Sequence, residues 1–216
     1  MLGAVSAFKA YDIRGIAGED ITTDFSRRLG RAIVEFAQAT SIAVGRDIRS
    51  SGESLKAALI QGIVESGCTV VDLGIVPTGV VYRSTVDLNV DSAIAITASH
   101  NPPEYNGFKI VHKGLPVAGE DLQRLKAIYE SPDQGKANSP GTILSMSEYH
   151  HTVIDAIVQD VGPLARRVSV AVDSANAVPG PFIMELCDKL GVDLVDLNCT
   201  WDQRSPVSYT HLRAHE

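Results

Sequence analysis

Ser99-His100-Asn101 stands directly after the apolar run Ala93-Ile94-Ala95-Ile96-Thr97-Ala98, and Lys109 follows beyond Pro102-Pro103-Glu104-Tyr105-Asn106-Gly107-Phe108. A serine hydroxyl in that position has three possible uses: nucleophile, carrier of a phosphoryl group, or cap of an Asx- or ST-type turn together with Asn101. The adjacent Ser99-His100 pair does not read as a hydrolase dyad, because consecutive residues rarely set a base against its nucleophile and no Gly-x-Ser-x-Gly elbow surrounds them. A second stretch, Phe8-Lys9-Ala10-Tyr11-Asp12-Ile13-Arg14-Gly15, mixes aromatic and charged residues. Arginine's planar fork suits phosphate oxygens, so Tyr11 and Arg14 are candidates to face an anion. The plainer reading of that stretch is an edge strand with solvated Lys9 and Arg14, entering a turn at Gly15.

These residues need a scaffold. The run from Ala93 reads as a buried strand. Asn101-Pro102-Pro103 then forces the chain out of the sheet, since proline lacks an N–H and restricts its predecessor. Asn106-Gly107 is a turn dipeptide, after which Gly107–Val111 can return as a strand carrying Lys109. The spacing predicts helices over Thr22–Ala39, with Thr22 or Thr23 as cap and Phe25, Leu29, Ile33 and Phe36 on one face. A Ser50/Glu53 capping box predicts a helix carrying Leu55, Leu59 and Ile63, closed by Gly67. Strands are expected at Ile42–Gly45 and Thr69–Leu73. A short helix capped by Thr78 follows, then a helix over Gly119–Ser131, and Ser131–Thr142 reads as a linker. A helix over Ser147–Val161 leads to the strand Val168–Val172, the helix Phe182–Leu190 and the strand Val192–Leu197. Strands alternating with helices imply an α/β fold: a mixed, mostly parallel sheet sandwiched by helices, plus an incomplete second α/β unit. The expected domains are 1–146, with the serine loop, and 147–204; residues 205–216 are polar, lack periodicity and read as a non-native tail.

The chain has 216 residues, 44% hydrophobic and 21% charged, with a net charge of −7. That acidic balance disfavours a nucleic-acid partner. No apolar segment is long enough to span a bilayer, and with no signal-peptide pattern the cytoplasm is the default expectation. Cys68, Cys187 and Cys199 are scattered and read as buried free thiols, without zinc-ligand spacing. His150 and His151 neighbour each other on a helix, pointing about 100° apart, and read as solvated surface residues with no shared metal. Arg46-Asp47-Ile48-Arg49-Ser50-Ser51 either binds an anion at a helix N-terminus or braces the serine loop; bracing is the favoured reading.

The string Thr97-Ala98-Ser99-His100-Asn101-Pro102 followed by Tyr105-Asn106-Gly107-Phe108-Lys109 resembles the phosphoserine loop of the α-D-phosphohexomutases. It is nearest their phosphomannomutase/phosphoglucomutase branch, whose opening motif Phe8–Gly15 also resembles. The resemblance covers residues 8 to 204, departing at Gly79 (usually proline) and Ala177 (usually glycine). It implies that phosphorylated Ser99 exchanges phosphate with a hexose phosphate through a bisphosphate intermediate. Arg14 and Lys109 would stabilise moving charge, Lys109 also serving as general acid or base. His100 and Asn101 would shape the loop, and Tyr11 would line the cleft. It further implies a Mg²⁺ ligated through the Ser99 phosphate and by an Asp-x-Asp-x-Asp-Arg loop, and an activator of the glucose 1,6-bisphosphate type. No such aspartate string occurs in these residues, so the chain is expected to be an inactive fragment. The alternatives are a non-catalytic remnant, a sugar-phosphate-binding fragment, or phosphoglucosamine mutase specificity; a kinase is disfavoured because no P-loop or Gly-x-Gly-x-x-Gly string is present. The oligomeric state is not readable.

Overall fold

The computed structural model describes residues 6–132 and 137–202. Four of the linker residues and the tail proposed as non-native lie outside them. The strands are β1 (Ile13–Ile16), β2 (Ser41–Arg46), β3 (Thr69–Ile75), β4 (Ser92–Ile96), β5 (Tyr105–His112), β6 (Leu115–Pro116), β7 (Ile143–Ser145), β8 (Ser169–Asp173) and β9 (Asp193–Leu197). The helices are α1 (Thr23–Ala37), α2 (Gly52–Glu65), α3 (Thr78–Asp87), α4 (Gly119–Glu130), α5 (Tyr149–Val161) and α6 (Pro179–Leu190).

One sheet runs β1-β5-β4-β2-β3-β7, with β6 paired to β5. The pairs β2·β3, β2·β4 and β3·β7 are parallel, and β1·β5, β4·β5 and β5·β6 are antiparallel. β8 and β9 form a separate parallel pair. This is the expected mixed α/β architecture. On one face of the sheet, Phe25, Leu29, Ile33, Leu59, Ile63 and Leu125 from α1, α2 and α4 bury against Ile42, Ile94 and Phe108. On the other face, Val80 and Val81 of α3 and Tyr149 and Val153 of α5 close over Ala43, Val71, Ala93 and Ala95. The small alanines there let the helices sit close to the strands.

Thr22 caps α1 as expected, its Oγ1 accepting from the Phe25 N–H at 3.1 Å. Three local expectations fail for identifiable reasons. Ser51, not Ser50, precedes α2, and neither end of a capping box forms. Glu53 is drawn instead to Arg46 at 2.7 Å. Thr78 is the first residue of α3, with Pro77 at the cap position and no side-chain cap bond. The segment from Phe8 turns before it becomes a strand, with Lys9 N–H donating to Asp12 O, so β1 begins at Ile13 and contains Gly15. The strands β6 and β7 are too short to carry a periodic signal and went unanticipated.

Helices α1 and α2 cross at glycines. A Cβ on Gly62 would lie 1.9 Å from the Arg27 carbonyl oxygen, and one on Gly30 would lie 2.4 Å from that of Leu59. Backbone cannot yield as a side-chain tip can, so Gly62→Ala is expected to destabilise by about 2–3 kcal/mol, read as a lower urea midpoint. At the same crossing Arg27 and Arg31 converge on Glu65. The Arg27 hydrogen bond, opposed by burial and joined by Arg31, lowers the Glu65 carboxyl from 4.5 to about 2. A depressed carboxylate contributes stability that is whole above its unfolded value and lost as pH falls from about 4.5 towards 2. Glu65→Gln should therefore remove about 1–2 kcal/mol at pH 7 and flatten the stability–pH curve over that acid window, after allowing for solvent screening.

Candidate functional site

Three loops at the carboxyl ends of the parallel strands open on one cleft of about 420 Å³. Arg46 ends β2, and Asp47 and Arg49 follow it; after β3 come Val76, Pro77 and Thr78; after β4 come Thr97, Ser99 and His100. Ala175, Ala177 and Val178, from the turn between β8 and α6, and Pro179 at the start of α6 supply the opposite wall. In open α/β sheets this edge is where ligands bind. The first turns of α3 and α6 both reach the cleft, through Thr78 and Pro179. Helix N-termini favour negative charge, so the lining suits an anion.

Ser99 is exposed, and its hydroxyl has no hydrogen-bond partner among the described residues. Its backbone is left-handed, with φ of 56°, held there by its N–H donating to Thr97 Oγ1 at 2.8 Å. Strain of this kind in a non-glycine residue costs of the order of 1–3 kcal/mol and persists only where the surroundings enforce it. The Asn101 side chain contributes by donating to Ala98 O at 2.9 Å. His100 is exposed beside Ser99.

The strongest enforcement comes from Arg49, whose side chain is 1% exposed. Nε donates to Asp47 Oδ2 at 3.1 Å. One terminal nitrogen serves Pro102 O and Tyr105 O at 2.5 and 3.0 Å, and the other serves Ser99 O and Asn101 O at 2.8 and 2.7 Å. All five guanidinium N–H groups are thereby used, four of them on the serine loop. The bracing reading of this string is what the hydrogen bonds describe, and anion capture by Arg49 is not.

The remaining candidates gather in a neighbouring hollow of about 590 Å³, lined by Tyr11, Asp12, Arg14, Asn101, Tyr105 and Lys109 among others. Tyr11 is 83% exposed. Asp12 Oδ2 accepts from Arg14 at 2.5 Å and from Lys109 Nζ at 3.0 Å, tying both cations together. Burial works to raise the Asp12 carboxyl, but hydrogen bonds and charge from Lys109 and Arg14 outweigh it and hold it below the usual carboxylate range. Register explains the meeting: Arg14 stands opposite Gly107, beside Lys109 on β5. A Cβ on Gly107 would lie 2.2 Å from Ile13 O, so glycine is what allows β1 this close. Gly107 lies in the strand as expected, but Asn106 is a strand residue too, where the dipeptide suggests a turn. Long-range pairing with β1 overrides the local preference, and the buried Asn106 amide donates to Ser51 Oγ at 2.8 Å. Asp12 escaped sequence reasoning; its position two residues before Arg14 was the available signal.

The structure therefore brings Tyr11, Arg14, Lys109 and Asn101 to one hollow and Ser99 with His100 to the adjoining cleft, the serine loop bordering both. A magnesium cage is not assembled by these residues: the carboxylate lining the Ser99 side is Asp47, already engaged by Arg49. Cys68 is inert, burial and the Asp91 charge pushing its thiol up to about 12; all three cysteines are free, as expected, though Cys187 is only partly buried.

Residues 5–136 match the family described as phosphoglucomutase/phosphomannomutase, α/β/α domain I. The chain belongs to that family. It is 38% identical over 205 residues to a Pseudomonas aeruginosa phosphomannomutase/phosphoglucomutase, covering 93% of this chain and 43% of that protein. It is 37% identical over 189 residues to an Escherichia coli phosphomannomutase, covering 84% of this chain and 41% of that one. A crystal structure of a Burkholderia thailandensis phosphoglucomutase/phosphomannomutase family protein superposes with a TM-score of 0.86 at 35% identity, covering 93% of this chain and 45% of the other. The chain thus spans less than half the length of these relatives.

Proposed function

We propose that Ser99 is the phosphoryl carrier of a hexose phosphate mutase, acting on mannose and glucose phosphates, and that residues 1–146 form its carrier domain with 147–204 the start of a second. The observation that carries this reading is an exposed serine, its hydroxyl without a partner among the described residues, held in a strained backbone by a buried arginine at the carboxyl edge of the sheet. The names of the relatives supply the sugar class.

In this account the phosphoserine P–O bond breaks as a hexose hydroxyl oxygen bonds to phosphorus, and the hydroxyl proton passes to a base. The resulting hexose 1,6-bisphosphate turns over in place, and its other phosphoryl group returns to Ser99 Oγ. The net change exchanges a sugar 1-phosphate for the 6-phosphate. Such a transfer depends on positioning and charge neutralisation more than on covalent chemistry. Arg14 and Lys109, aligned by Asp12, supply positive charge from the adjoining hollow, and the sugar phosphate spans the loop between them and Ser99. Asn101 and His100 set the shape of that loop, and Tyr11 offers a face for the sugar. Magnesium belongs to the expected chemistry, but no step is assigned to it with these residues.

The same reading holds that this chain alone turns over little or no substrate. Incubation with Mg²⁺, glucose 1,6-bisphosphate and mannose 1-phosphate is expected to give phosphorylated Ser99 with negligible mannose 6-phosphate. Robust mannose 6-phosphate formation would show that 216 residues suffice; absence of any phosphate on Ser99 would remove the carrier role.

A further inference from the structure

At the start of α5, away from the serine loop, Glu148, His150 and His151 bring ligand atoms within 4.8 Å of one another. The sequence reading set the two imidazoles apart on the helix. Their ring centroids are instead 3.9 Å apart, because each ring is turned by a bond of its own. His150 Nδ1 lies 2.9 Å from Ser147 O; a carbonyl only accepts, so that nitrogen carries the hydrogen and leaves the lone pair on Nε2. His151 Nδ1 lies 2.7 Å from Glu185 Oε1 of α6, and its Nε2 lies 3.0 Å from Glu148 Oε2. In metal sites, ligating histidines nearly always donate their other ring N–H to a carbonyl or carboxylate, which fixes tautomer and orientation. Both histidines already have that outer partner, in two different chemical forms.

We propose that Glu148, His150 and His151 form a surface site for a divalent transition cation of the zinc class. Two imidazole nitrogens and one carboxylate are borderline ligands that suit Zn²⁺, Co²⁺ or Ni²⁺ and discriminate against Mg²⁺, which prefers all-oxygen octahedra. Three protein ligands leave the remaining coordination open to solvent, in keeping with side chains of His151 and Glu148 that are 45% and 78% exposed. On binding, the proton shared between His151 Nε2 and Glu148 leaves to solvent and the cation takes its place. Because Glu185 stands on α6 and bonds His151 Nδ1 at 2.7 Å, a metal held by His151 would brace the contact between α5 and α6.

The test is titration of the full chain with Co²⁺ followed by visible absorption, and with Zn²⁺ by calorimetry, alongside Mg²⁺ as a contrasting ion. One equivalent of Co²⁺ or Zn²⁺ is expected to bind with micromolar or tighter affinity, and Mg²⁺ should not compete at a hundredfold excess. His150→Ala and His151→Ala should each weaken binding at least tenfold while circular dichroism is unchanged. Glu185→Gln, which alters an outer partner of His151 and removes no proposed ligand, should weaken it less. Saturable binding that survives in the double histidine variant, an equal response to Mg²⁺, or no saturable binding at all overturns the assignment. None of these outcomes depends on whether Ser99 carries phosphate.

Discussion

Arg49→Met is expected to destabilise the chain by about 3–5 kcal/mol, the cost of breaking a buried ion pair and leaving its partner uncompensated. The side chain is 1% exposed and pairs with Asp47 at 3.1 Å. Methionine fills comparable volume without any donor, so Asp47 loses its guanidinium partner and four loop carbonyls lose theirs. The measurable result is a lower thermal midpoint, together with faster amide exchange over residues 99–105. Arg49→Lys should recover only a minority of the loss, since one ammonium cannot reach two pairs of carbonyls and a carboxylate from a single point. Equal loss for both variants without any change in loop exchange would mean that Arg49 serves only the core.

Ser99→Ala carries the second large effect. The hydroxyl makes no bond within the described residues, so its removal should change stability by less than about 0.5 kcal/mol, as for an ordinary exposed site. Phosphoryl acceptance from glucose 1,6-bisphosphate should fall to background, because no other hydroxyl occupies that left-handed position at the head of the cleft. Separation of these two responses matters: a structural serine would lose stability, whereas a carrier loses only its phosphate. Asp12→Asn should give an intermediate result. It unties Arg14 and Lys109, which both bond Asp12 Oδ2, and should slow acceptance by about tenfold, equivalent to about 1.4 kcal/mol.

Much of the scaffold was legible because local signals and tertiary packing agree. Thr22 caps α1, and Phe25, Leu29 and Ile33 all face the core as their spacing requires. The apolar run before Thr97 is buried at every position from Ser92 to Ile96. Legibility ended where distant partners decide. Asn106-Gly107 has the composition of a turn, yet pairing with Gly15 and Arg14 of β1 makes it strand. Glu53 has capping-box spacing from Ser50, yet a full charge on Arg46 offers it more than a neutral backbone N–H. The adjacent histidines diverge on an ideal helical wheel, but Ser147 O and Glu185 bring their rings together. At the candidate site, residue types and the serine loop could be named from sequence; the role of Asp12 in gathering the two cations could not, since its partner Lys109 lies 97 residues away.

The central claim concerns one oxygen atom, and intact-mass analysis with peptide mapping tests it most directly. After incubation of the full chain with Mg²⁺ and glucose 1,6-bisphosphate, the account predicts a mass gain of one phosphoryl group, mapped to Ser99 and missing from Ser99→Ala. An unmodified chain, or a phosphate mapped to any other residue, would contradict it.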